Sequence, residues 1–257
     1  MRELLESVAD GSLSPTEAEA KLNGYVTGDA GRFDAARRQR RGIPEAIYAE
    51  GKSAPQVVAL AETALETTDR ALITRISDEQ FEALESTLAD SAPDATLERS
   101  GSTVRVLGAE FEQPSLEATV GIVTAGTVDG PVADEAQVVC TDAGATVDRV
   151  DDIGVAALDR TLDQVDRLRD ADTLIVAAGR EGALPTVIAG LVDTPVIAVP
   201  VSSGYGHGGA GEAALAGLLQ SCTVLSVVNI DAGFVAGAQA TLIARAIDAA
   251  RTTDVPR

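Results

Sequence analysis

The hydrophobic pattern of the chain changes character once, a little before its middle. From residue 119 onward, apolar runs recur at 119–125, 145–150, 173–178, 195–200 and 224–230, and each is followed by a stretch with helical spacing. Continuous apolar runs of this length mark strands buried on both faces. Their alternation with amphipathic helices predicts an α/β fold, a three-layer doubly wound parallel sheet. The helix beginning at Pro131 shows the spacing well: Val132, Ala136, Val139, Cys140 and Ala143 fall on one face, which assigns Cys140 to the core. A last helix, roughly 233–251, closes this domain.

Before residue 119 the pattern is mixed. Residues 2–9 read as a short helix. Ser14-Pro15-Thr16-Glu17 then supplies an N-cap, a proline in the first turn and an acid near the positive helix end, starting a helix that stops at Gly24. Helical spacing returns at 54–67 and 78–90 with a strand candidate at 71–76 between them, and two short strands, near Thr96 and at 104–107, lead to Gly108. The polar stretch 109–118, which contains Pro114, reads as a linker. A smaller mixed α+β region over 1–115 and an α/β domain over 116–257 are therefore expected.

Charge narrows the classes of partner. Across 257 residues, 40 Asp and Glu face 20 Lys and Arg, for a net charge of −20. Nucleic acid is excluded as a main partner, because phosphate binding needs a basic footprint. An acidic surface with only Lys21 and Lys52 as lysines reads as a halophilic adaptation, in which salt screens self-repulsion. No apolar run approaches the roughly 18 residues of a membrane span, and the start MRELLESVAD lacks the apolar stretch of a secretory signal; a cytoplasmic protein with no membrane partner is expected. Arg37, Arg38, Arg40 and Arg41 form the one basic concentration, either a solvated turn paired with acidic neighbours or a phosphate or subunit contact. Two cysteines and one histidine support neither a disulfide framework nor a structural zinc site.

In open α/β sheets, ligands bind beyond the carboxyl ends of the strands. Those ends carry Gly126, Thr127 and Asp129, then Gly179, Glu181 and Gly182, then Ser202, Gly204, Tyr205 and Gly206, and finally Asn229 and Asp231. Small residues, hydroxyls and carboxylates of this kind suit a nucleotide-sized pocket, although neither GxGxxG after the first strand nor a P-loop is present. Gly204, Gly206, Gly208, Gly209 and Gly211 make either an anion cradle or a tight strand-to-helix turn. Glu181, between two glycines, is a candidate acid/base if partly buried, or else a helix N-terminal acid. Asp129 and Asp231 read as N-caps or as metal or ribose contacts, and His207 as a phosphate donor or an exposed loop residue. Cys222 is the candidate nucleophile, since a thiolate adds readily to an electron-poor carbon. Its place between a helix and the next strand, away from the carboxyl edge, equally allows a core role.

The runs TVGIVTAGTVDGPVADEA (119–136), DRVDDIGVAALDR (148–160), VAAGREGALPTVIAGLVDTPVIAVPVSSGYG (176–206) and SCTVLSVVNIDAGF (221–234), with RFDAARRQRRGIPEAIYAEGK (32–52), resemble the LarB family. These are nickel-pincer-nucleotide biosynthesis proteins, pyridinium-3,5-biscarboxylic acid mononucleotide synthases, whose C-terminal domain is similar to the aminoimidazole ribonucleotide carboxylases. The resemblance implies nicotinic acid adenine dinucleotide as substrate, carboxylation of its pyridinium ring at C5 with carbon dioxide or bicarbonate, and hydrolysis of its phosphoanhydride to release AMP. It also implies Mg2+ as an aid to hydrolysis, no organic cofactor, and a homo-octamer like the related carboxylases; no metal ligand can be named. The match places the family's cysteine on Cys222 and its acid on Glu181, so Cys222 is expected to reach a pocket completed by subunit packing. Val128, Asp159 and Ala232 depart from the family's usual serine, histidine and asparagine. The purine carboxylases carry a histidine after the second strand, where this chain has Asp151-Asp152-Ile153-Gly154. The competing readings are an aminoimidazole ribonucleotide carboxylase or mutase, and a non-catalytic nucleotide-binding module with packed thiols.

Overall fold

The computed structural model describes residues 2–28 and 30–253. The chain divides into two compact units, Met1–Glu112 and Gln113–Arg257. The first contains helix α1 (Arg2–Ala9), helix α2 (Pro15–Asn23), the antiparallel pair β1 (Val26–Gly28) and β2 (Gly31–Phe33), helix α3 (Arg37–Arg41) and strand β3 (Ala46–Tyr48). Helix α4 (Ala54–Thr68), strand β4 (Arg70–Thr74), helix α5 (Asp78–Ser91) and strands β5 (Thr96–Ser100) and β6 (Thr103–Leu107) complete it. Helix α2 starts where its chemistry requires. The Ser14 hydroxyl accepts the Glu17 N–H and the Glu17 carboxylate accepts the Ser14 N–H, while Gly24, at φ 78°, ends the helix. The sheet has the order β3-β4-β6-β5, with β3 parallel to β4 and the other pairs antiparallel. Val57, Ala61, Ala64, Leu84 and Leu88 from α4 and α5 cover Ile73, Val104 and Val106. The elements β1, β2, α3 and β3 lie outside the expectations from sequence, because runs of three to five residues are too short to show a period.

The second unit alternates strand and helix. It runs through β7 (Thr119–Thr124), α6 (Gly130–Asp142), β8 (Thr146–Val150), α7 (Leu158–Leu162), α8 (Val165–Arg169), β9 (Thr173–Ala178), α9 (Ala183–Ala189), β10 (Val196–Pro200), α10 (Glu212–Leu219), β11 (Ser226–Val227) and α11 (Gly233–Thr253). All five strands are parallel in the order β11-β10-β9-β7-β8, so the chain reverses its direction of travel across the sheet between β7 and β9. Alternate strand residues face opposite layers. Val120, Ile122, Ile175 and Val199 pack with α6 and α11, whereas Val123, Leu174, Val176 and Val196 pack with α8 and α9. This is the three-layer doubly wound sheet that the continuous apolar runs require.

Two details differ from the sequence pattern. The connection from β8 to β9 is broken into a short 3-10 turn and two five-residue helices. The apolar run 224–230 yields only a two-residue edge strand, with Val224 left 94% exposed. The residues just before it are tied to helix α9 instead, where the Thr186 hydroxyl donates to Ser221 and the Thr223 hydroxyl donates to the Thr186 carbonyl. Cys140 is fully buried in the core, and burial pushes its thiol up to about 12. Among the described residues no helix is long and apolar enough to cross a membrane.

Helices α6 and α11 meet closely because Gly237 lacks a side chain. A Cβ there would lie 2.8 Å from the Ala136 carbonyl oxygen and 2.9 Å from the Val139 Cβ. Backbone cannot give way as a flexible side chain can. We expect Gly237→Val to destabilise the unit by roughly 1–3 kcal/mol, read as a lower Tm. An unchanged Tm would mean that the two helices can separate at no cost.

Candidate functional site

The site lies where the sheet topology places it, at the carboxyl edge across the β7/β9 reversal. A cavity of about 500 Å3 opens there. Its wall is built from the ends of three adjacent strands: Ala125 and Gly126 after β7, Gly154 to Ala156 after β8, and Ala178 to Glu181 after β9, joined by Ser203 and Tyr205 from the loop after β10. The backbones come together because two positions carry no side chain. A Cβ on Gly154 would stand 2.5 Å from the Ala125 carbonyl oxygen, and one on Gly179 would stand 2.5 Å from the Ser203 Oγ.

At the base of this wall sits Asp129, only 2% exposed. Its Oδ2 accepts the Gly126 N–H at 2.9 Å and its Oδ1 accepts the Ser203 hydroxyl at 3.2 Å, with a further bond from the Gly179 N–H. Burial raises its carboxyl above the ordinary aspartate value, and the surrounding donors offset only part of that cost. The carboxylate thus ties the ends of β7, β9 and β10 to one another. Asp129 stands at the N-cap position of α6 but makes no side-chain cap bond to that helix; its carboxylate reaches back to the Gly126 N–H and across to Ser203 of the opposite loop.

Glu181 also lines the cavity, but its side chain is exposed at the rim. The partial burial expected for an acid/base carboxylate is found at Asp129 instead, because Gly182 at φ 67° turns the chain into α9 before Glu181 can enter the interior. For the same reason Glu181 precedes the N-cap and is not an acid of the first helical turn. Its backbone is fixed from behind, where a Cβ on Gly217 of α10 would lie 2.7 Å from the Glu181 carbonyl oxygen.

Among the expected ligand contacts, Gly126, Asp129, Gly179, Glu181 and Tyr205 line the cavity together. Thr127, Gly182, Ser202, Gly204, Gly206, Asn229 and Asp231 do not line it. Asp231 accepts the Ser202 N–H at 2.9 Å and donates its own N–H to the Pro200 carbonyl, so it shapes the turn after β10. The Asn229 Oδ1 accepts the N–H of Ile230. In the glycine-rich loop, the N–H groups of Gly209, Ala210, Glu212 and Ala213 donate to carbonyls of Gly206, Gly204, Gly209 and Gly208. Those amides are spent within the loop, which makes it a set of consecutive turns with His207 exposed on it.

Arg180 is a cavity residue that the sequence reading left out. Its guanidinium stacks 4.3 Å from the ring centroid of Tyr205, and its backbone takes the left-handed conformation at φ 55°. The only signal for it was a cation placed directly after a strand end. Asp151 and Asp152, where the purine carboxylases hold their histidine, are engaged elsewhere: Asp151 accepts from Thr124 Oγ1 and Arg149, and Asp152 from Arg160.

Cys222 is exposed and lies outside the cavity wall of its own chain. It is not part of the core. Its two neighbours are anchored, since the Thr186 hydroxyl donates to Ser221 Oγ at 3.1 Å, Ser221 and Thr223 share a bond of 2.8 Å, and Thr223 donates to the Thr186 carbonyl. The thiol is thereby presented to solvent from a fixed turn. Among the described residues no group of three or more His, Cys, Asp or Glu side chains is placed to hold a metal ion.

Comparison with known proteins agrees with both units. Residues 25–105 match the LarB/PurE-like N-terminal domain, and residues 119–256 match the AIR carboxylase domain. An uncharacterized protein of Methanocaldococcus jannaschii is 35% identical over 254 residues, spanning 95% of this chain and 97% of its relative. With this domain pair in order along the chain and the parallel sheet built as described, the chain belongs to the LarB family and carries an AIR carboxylase-like C-terminal domain.

Proposed function

We propose that this carboxylase-family protein acts on nicotinic acid adenine dinucleotide, carboxylating the pyridinium ring at C5 and hydrolysing the phosphoanhydride to give pyridinium-3,5-biscarboxylic acid mononucleotide and AMP. The observation that carries the reading is the exposed thiol of Cys222, held in a fixed turn in a chain whose single histidine lies on the glycine loop outside the cavity wall. A chemistry that needs an imidazole after β8 has none there. A chemistry that needs an accessible sulfur nucleophile has one.

The steps follow from that assignment. The Cys222 thiolate forms a carbon–sulfur bond to the cationic ring, whose nitrogen takes up the electron pair, and the ring becomes an enamine. Its C5 then attacks carbon dioxide, forming the carbon–carbon bond. A base removes the C5 proton, and the electrons of that C–H bond restore the ring as the carbon–sulfur bond breaks and the thiolate leaves. Glu181, at the cavity rim, is the proton acceptor in this scheme. Because Cys222 is outside its own chain's cavity wall, the thiol acts on a cavity of another copy, as subunit packing in an octamer would allow. The hydrolytic half is assigned to no ion held by the chain.

Incubation with the dinucleotide, labelled bicarbonate and magnesium in high salt, followed by mass spectrometry, tests the reading. AMP with a labelled dicarboxylated pyridinium mononucleotide is the expected result. Turnover of aminoimidazole ribonucleotide in its place would transfer the assignment to the purine reaction. Glu181→Gln should lower kcat roughly a hundredfold while KM moves only a few-fold. Equal losses in both constants would reduce Glu181 to a binding group.

A further inference from the structure

Arg180 is the one cation that lines the carboxyl-edge cavity, where the other charged side chains are Asp129 and Glu181. Asp129 is buried and occupied by the Gly126 and Ser203 donors, and Glu181 follows Arg180 directly in the chain. One base and two acids give the lining no excess of positive charge, so a role for Arg180 has to come from where its side chain is placed. That place is held at a cost. Its backbone is left-handed, at φ 55°, a conformation unfavourable for a residue with a Cβ. The Gly182 N–H closes the turn by donating to the Gly179 carbonyl at 3.0 Å, and Gly204 packs so near that a Cβ there would lie 3.1 Å from the Arg180 nitrogen. The guanidinium lies over the exposed Tyr205 ring, 4.3 Å from its centroid. Among the described residues it makes no hydrogen bond and no ion pair, not even with Glu181 beside it. A strained turn thus delivers to the cavity a cation whose N–H donors are unspent.

We propose that Arg180, steadied by Tyr205, receives the carboxylate on the pyridinium ring and so selects the acid form of the dinucleotide over the form whose ring carries a carboxamide. The inference rests on the reading of this cavity as a pyridine dinucleotide site. Such a ligand offers a guanidinium two kinds of anion, the ring carboxylate and the phosphoanhydride. The first is favoured because Glu181 is the group assigned to ring C5, and side chains leaving consecutive Cα atoms about 3.8 Å apart can serve C3 and C5 of one ring. A guanidinium fork gives a carboxylate two parallel charge-assisted bonds, whereas a carboxamide presents one neutral oxygen and an NH2 that cannot accept.

Calorimetric titration of the full chain at constant ionic strength, without bicarbonate or magnesium, compares nicotinic acid adenine dinucleotide with nicotinamide adenine dinucleotide on wild type, Arg180→Gln and Arg180→Lys. Wild type is expected to bind the acid form roughly tenfold or more tightly than the amide form. Arg180→Gln should lose that preference while binding the amide form within about twofold of wild type, Arg180→Lys should keep part of it, and all three should share one Tm. No preference in wild type, a preference kept by Arg180→Gln, or an equal loss for both ligands, which would put the guanidinium on the phosphoanhydride, would overturn the inference and leave the substrate reading standing. Failure of wild type to bind either dinucleotide would overturn both.

Discussion

Cys222→Ala should abolish carboxylation of nicotinic acid adenine dinucleotide, by roughly 10³-fold or more, while leaving the protein folded. The side chain is exposed, so its truncation opens no cavity, and the turn that holds it is fixed by Ser221 and Thr223. Incorporation of label from bicarbonate checks the chemistry, and a thermal melt checks the fold. Full activity in the variant would remove the thiol addition from the mechanism. Mixing Cys222→Ala with Glu181→Gln protein under exchange of subunits gives a sharper outcome. If the two groups meet across copies, some mixed sites are doubly intact and part of the activity returns. If both must come from one chain, none does.

Asp129→Asn is expected to lower turnover by about a hundredfold, because the two oxygens that position Gly126, Ser203 and Gly179 are replaced by one oxygen and an NH2 that cannot accept. The same variant should alter the dependence of stability on pH. Burial raises the folded-state value of Asp129 above its unfolded value of 3.8, so the folded protein holds this proton more tightly. Its contribution is therefore most favourable below the unfolded value and declines as pH rises through the interval up to the raised one. Stability of wild type minus that of Asp129→Asn, followed by denaturant melts from mildly acidic to neutral pH, should fall across that interval. A difference that is flat in pH would mean that Asp129 is as well solvated when folded as when unfolded.

Much of the fold was legible because burial on both faces leaves an unbroken apolar signal. Strand β9 coincides with the run at 173–178, and Cys140 lies in the core where helical spacing put it. Local chemistry was equally readable at α2, where Ser14, Glu17 and Gly24 act through bonds within a few residues. What escaped depends on tertiary partners. The run 224–230 has strand composition, yet the residues just before it are tied to α9, a helix that starts some forty residues earlier in the chain, and only Ser226 and Val227 pair as a strand. Glu181 and Asp129 are both carboxylates beside glycines, and only the path of the chain through Gly182 determines that one is exposed and the other buried. The arginine cluster likewise reads as four equal cations, but the positions of Asp34 and Glu45 leave Arg38 apart from Arg37 and Arg40.

The contacts between α9 and α10 also relate Glu181 to Cys222. Gly217, near the C-terminal end of α10, rests against the backbone of Glu181, and just beyond that end, beside Cys222, the Thr186 hydroxyl of α9 donates to Ser221, which shares a bond with Thr223. Both contacts brace the C-terminal end of α10 against the segment that runs from Glu181 into α9, so the carboxylate and the thiol are carried by one packed pair of helices. Within a chain they are therefore two marks on a single ruler, spaced by the packing of α9 against α10.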